Sequence, residues 1–116
     1  MASKLRDKIA SIKDIKEEKL HVPEWDVELL IKALTGAERN KILTAAVTKD
    51  GKADMDKMYP NLIIAACYDP ETGERVFEPT DREMLLNKSS SAIERIAQKV
   101  IQLSGMDGLA DKEKNS

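Results

Sequence analysis

The chain has 116 residues, of which 41% are hydrophobic, enough for one domain around one modest core. Its 19 basic and 21 acidic side chains leave a net charge of −2, so composition gives no electrostatic footprint for nucleic acid or an anionic membrane. Cys67 is the only cysteine, which excludes an intramolecular disulfide.

Taken in chain order, the first segment, SKLRDKIASIKDI, spaces Leu5, Ile9 and Ile12 as one narrow helical stripe among lysines and an arginine. Such a short helix is marginal alone and needs a surface to pack on. The opening MASKLRDKIA is charged throughout and predicts no secretory leader. Leu20 and Val22 then alternate with polar neighbours, and Val27, Leu29 and Ile31 alternate with Glu28 and Lys32. That period of two predicts a hairpin turning at Pro23-Glu-Trp-Asp26. A helix through WDVELLIKAL competes, because Leu, Lys, Glu and Ala are good helix formers.

Helix-start patterns follow three times, at Thr35–Glu38, Thr80–Glu83 and Ser91–Glu94. In each, a hydroxyl can take an orphan N–H while the glutamate returns the bond. They predict helices near residues 36–47, 53–68, 81–88 and 92–104. Asp50-Gly51 separates the first two, and Pro60 must kink the second or begin a new helix. Asp69–Gly73 reads as a turn, with Arg75–Phe77 as a short extended piece. The last helix aligns Ile93, Ile96, Ala97, Val100 and Ile101 on one face. Beyond Gly105 the polar tail is expected to be disordered. The expected architecture is mainly α with a small N-terminal β-hairpin, an α+β domain over 1–106 with a tail over 107–116.

Catalytic equipment is sparse. The sole histidine, His21, rules out a multi-histidine metal site. Cys67, in the apolar run LIIAACY, reads as a small buried hydrophobe. Asp50, Asp54 and Asp56 lack the spacing and closing glutamate of a calcium loop, and no glycine loop suits a phosphate. Four aromatics in the chain give no stacking platform for nucleic acid. The longest apolar run, 62–67, is far too short to span a bilayer. No enzyme activity and no cofactor are expected; the pattern points to a soluble protein whose partners are other proteins.

The order of motifs resembles the small tail assembly chaperones of tailed phages and prophages. In that family a "vPEW" turn leads to a strand and a "lTG.ER" helix start, matched here by Pro23, Glu24 and Trp25, then Leu34, Thr35, Gly36, Glu38 and Arg39. A "DpeTG..vF...D...L" segment follows, at Asp69, Thr72, Gly73, Phe77, Asp81 and Leu85, and a terminal helix closes at Leu103, Ser104 and Gly105. The resemblance covers residues 5–106 and departs at Asp26, where a glycine is commoner and the turn should differ.

The resemblance implies a non-enzymatic chaperone that coats the tape measure protein, keeps its apolar helix faces soluble and leaves before the virion is complete. It also implies a longer frameshifted form that recruits tail tube protein, and action in the bacterial cytoplasm. Candidate protein-binding residues are Leu5, Ile9 and Ile12, Trp25, and Ile93, Ile96 and Val100; the terminal-helix stripe reads first as a core face, while the N-terminal helix serves equally as core or as an arm exchanged between subunits. A structural connector protein that stays in the particle is the alternative, followed by a small helical nucleic-acid-binding regulator.

Overall fold

The alternating apolar positions of the first third build a hairpin. β1 (Glu17–Val22) and β2 (Val27–Lys32) pair antiparallel, with Leu20 opposite Leu29 and Val22 opposite Val27. Side chains alternate across a strand, so Leu20, Val22, Leu29 and Ile31 share the face that meets the core. The competing helix does not form. The structure, a computed structural model, describes residues 3–106; the expected disordered tail over 107–116 lies outside them.

The turn is built from Pro23, Glu24, Trp25 and Asp26. The Trp25 N–H donates to the Val22 carbonyl at 3.1 Å, and the Asp26 N–H to that of Pro23 at 3.3 Å. Asp26 then adopts a φ of 51°, the one non-glycine residue at positive φ among those described. The last turn position therefore demands the left-handed conformation that glycine takes without a Cβ clash.

Before the hairpin lies α1 (Lys4–Ser11), and after it α2 (Gly36–Ala46), α3 (Met55–Ala66), β3 (Cys67–Tyr68), a 3₁₀ turn at Pro79–Asp81, α4 (Arg82–Leu86) and α5 (Ser90–Leu103). The Thr35 capping box forms in full: Thr35 Oγ1 accepts from the Glu38 N–H at 3.2 Å, and Glu38 Oε1 from the Thr35 N–H at 3.0 Å. The other two boxes do not. At Thr80 the chain makes its 3₁₀ turn instead, and the Asp81 carboxylate accepts the Glu78 N–H at 2.8 Å. Helix α5 starts at Ser90, so Ser91 lies inside its first turn and its hydroxyl is used elsewhere.

Helix α3 runs continuously through Pro60, and no new helix begins there. It stops short of the expected end because Cys67 and Tyr68 pair with Ile31 and Leu30, giving a sheet of order β1-β2-β3. Arg75 bridges to Tyr68 as the expected extended piece. Asp69 shapes the turn between them: its carboxylate accepts the Glu71 N–H at 2.8 Å, and its N–H donates to the Glu74 carbonyl at 2.8 Å. Gly73 completes that turn at φ 76°.

The core lies between the sheet and α5, with α3 packed alongside. Ile31, Leu62, Ile63, Leu85, Ile96 and Val100 are fully buried within one cluster. Each such aliphatic contributes about 1.5–3 kcal/mol by leaving water. Helix α5 ends in a Schellman motif: the Met106 N–H reaches the Ile101 carbonyl at 2.9 Å, with Gly105 at φ 70°. Ser104 Oγ, at the same end, accepts the Leu34 N–H at 2.9 Å. The "lTG" and "LSG" motifs thus meet in space and fasten the end of α5 beside the start of α2.

Candidate functional site

Helix α1 follows from local signals. Ser3 Oγ caps it by accepting the Arg6 N–H at 3.0 Å, and Asp7 sits in its first turn, where the helix dipole favours an acid. Ile12 leaves the helix in extended conformation, and residues 13–16 lead into the sheet. No residue of α1 is buried: Leu5 is 65% and Ile9 60% exposed, and Ile12 is 50% exposed beside it. Ile15 extends the apolar run at 43%. Among the described residues this is a concentrated apolar surface left over after the core is filled.

Ile93, Ile96 and Val100 lie elsewhere. All three are buried, the last two completely, against the sheet and α3. In this conformation the terminal helix closes the domain's own core, and its stripe is not a surface. The structure therefore does not bring the seven candidate residues together.

Trp25 is half-buried and packs on the rim of the core. Its turn is fixed by its neighbour: Glu24 Oε2 accepts from Ser91 Oγ at 2.7 Å and from an Arg95 guanidinium nitrogen at 3.0 Å. These hydrogen bonds, the Arg95 bond first, hold the Glu24 carboxyl down at about 2. Trp25 also lines a groove of about 640 Å³ with Val27, Leu29, Val76 and Phe77. Glu28, Asp69 and Glu71 make the rim acidic, against Lys19 alone. Sequence reasoning missed this groove. Its walls come from separate stretches that only the β3 pairing and the Asp69 turn bring together; the available signal was the pair Val76-Phe77 directly after a turn.

Arg75 anchors the stretch that leads into Val76 and Phe77. It lies over the Tyr68 ring at 5.4 Å, faces Glu38 at 3.6 Å and reaches the Ala65 carbonyl near the end of α3 at 3.4 Å. Lys32 covers the same ring at 4.5 Å.

Among the described residues, Cys67 and His21 are not brought together. Cys67 is fully buried, and burial pushes its thiol up to about 12. His21 lies on the opposite face of the sheet, since Cys67 shares the face of Ile31 and Glu18 while His21 is an odd step away. Among the described residues no group of three or more His, Cys, Asp or Glu is placed to hold a metal ion. Nor is any helix there long and apolar enough to cross a membrane.

No family model matches the sequence, and no curated protein matches it either. Among solved structures, the tail assembly chaperone of bacteriophage HK97 is similar, with a TM-score of 0.61 over 88% of this chain and 95% of that one, at 18% identity. This chain carries the fold of a phage tail assembly chaperone, the architecture that its motifs led us to expect.

Proposed function

We propose that the protein is a non-enzymatic assembly chaperone for long phage tails. Its client is the tape measure protein, which it keeps soluble and primes for polymerisation of the tail tube. The observation that carries this reading is the shared fold, and the unburied stripe Leu5/Ile9/Ile12 supports it. An amphipathic client helix needs apolar surface that the chaperone's core has not consumed, and α1 and the Trp25 groove supply it. The protein acts without a cofactor in the host cytoplasm and is absent from the finished virion. A frameshifted longer form would recruit tail tube protein. Copies associate with one another through the apolar surface that the monomer leaves exposed; light scattering that finds a strict monomer at high concentration would count against this.

The test is co-expression with a tape measure protein from the same phage or prophage, followed by size-exclusion chromatography with light scattering. The chaperone reading expects the large protein to become soluble and to elute with many copies of this chain. A client that stays insoluble while this chain elutes alone refutes it. Detection of this chain in purified virions would instead favour a connector that remains in the particle.

A further inference from the structure

We propose that, before a client binds, α1 of one copy seats its apolar stripe in the Trp25 groove of a second copy. This deepens the self-association proposed above and rests on it. The occupant is set by complementarity in shape and charge.

The groove runs beside a length of strand that lacks a neighbour. β3 pairs only with Leu30 and Ile31 of β2, so among the described residues no strand pairs with Val27, Glu28 and Leu29 on that side. Trp25, Val76 and Phe77 surround this stretch with apolar surface. Its volume of about 640 Å³ falls in the range of about 300–1,000 Å³ typical of binding clefts, room enough for the side chains of one short helix face.

The charges match as well. Between Lys4 and Lys16 the arm carries five basic and two acidic side chains, an excess of three positive charges. The groove presents Glu28, Asp69 and Glu71 against Lys19. A basic helix with an aliphatic stripe suits an apolar groove with an acidic rim.

The arm does not fill the groove of its own chain. The Ala33 N–H donates to the Lys16 carbonyl at 2.8 Å, which pins the arm to the sheet beside the Glu17–Lys32 pair. Trp25 sits past the other end, beyond the Val22–Val27 pair. Within the monomer the stripe stays exposed, and an eight-residue helix is marginal without a packing surface.

Trp25 is the only tryptophan and reports on its own groove. Sedimentation and tryptophan emission of the full chain would be followed together over a dilution series, with circular dichroism confirming that each variant is folded. The expected result is association accompanied by a blue shift of Trp25, both weakened by salt. Ile9→Asp should weaken association at least tenfold, and reversing the acidic rim with Glu28→Lys and Glu71→Lys together should weaken it as well. Association that leaves the emission unchanged, or survives Ile9→Asp, places the interface elsewhere and overturns the proposal. Association that survives reversal of the acidic rim, or an emission response independent of concentration, does the same. Co-expression separates this from the functional reading: a client solubilised by a chain that does not associate refutes only the arm exchange, and a client left insoluble by an associating chain refutes only the chaperone reading.

Discussion

Glu24, in the hairpin turn, and Arg95, in α5, lie 71 residues apart and form an ion pair of 3.0 Å. Ser91 adds a second donor to the same carboxylate oxygen at 2.7 Å. The turn that presents Trp25 is thereby tied to the helix that fills the core. Because the folded carboxyl sits at about 2 rather than 4.5, the unfolded chain takes up the proton first as the solution is acidified. The tie contributes fully above pH 4.5 and is lost as pH falls toward 2. Urea unfolding of Glu24→Gln should show lower stability than the parent at pH 7, with the gap closing between pH 4.5 and 2. A gap that is constant with pH would mean that the carboxylate charge has no part in it.

The second tie between distant motifs is neutral. Ser104 Oγ is the acceptor for the Leu34 N–H, and Leu34 is buried. Ser104→Ala leaves that donor without its partner, at a cost of about 1–2 kcal/mol. Chemical denaturation should show the loss with an unchanged m-value. A loss below about 0.3 kcal/mol would mean that water replaces the hydroxyl without penalty.

Asp26 holds a φ of 51°. Asparagine and aspartate tolerate this region better than most residues, yet a Cβ there is still unfavourable. Asp26→Gly should stabilise the hairpin by about 0.5–1 kcal/mol, visible as a raised thermal midpoint. A destabilised variant would show that the aspartate contributes more than its backbone strain removes.

How far these features were legible varies with their range along the chain. The hairpin and α5 followed from period and patterning, because one face of each meets the core directly. β3 did not: LIIAACY reads as unbroken helix, and only pairing with Leu30 and Ile31 draws Cys67 and Tyr68 out of it. Ser91 looked like a cap because its local pattern fits, whereas a partner far back in the chain, Glu24, claims its hydroxyl. Asp26 stood out as a departure from glycine, and the positive φ gives the reason. Of the candidate surface residues, the α1 stripe is exposed and the α5 stripe buried, a division that period alone cannot make.

Cys67 is walled off by Ile31 and the surrounding core, and burial pushes its thiol up to about 12. The thiolate is the reactive form, so alkylation at pH 8 requires the structure to open. Labelling in native buffer should be at least about a hundredfold slower than in denaturing urea, because opening the core costs several kcal/mol. Comparable rates in both solutions would place the thiol at the surface and contradict the β3 pairing.

The two aliphatic stripes can be separated by one pair of substitutions. Ile96 is fully buried in the core and Ile9 is 60% exposed on α1, so truncation should affect them through different terms. Ile96→Ala removes buried methylenes and leaves a cavity, at a cost of about 2–5 kcal/mol. Ile9→Ala removes surface already in water, and at concentrations where the chain is monomeric it should move stability by less than about 0.5 kcal/mol. At high concentration the same Ile9 variant should lose whatever stability association contributes, since a partner that binds only the folded form raises its apparent stability. Unfolding curves for both variants and the parent at two protein concentrations measure this. A large concentration-independent loss from Ile9→Ala would show that the arm packs within its own chain, and a small loss from Ile96→Ala would remove α5 from the core.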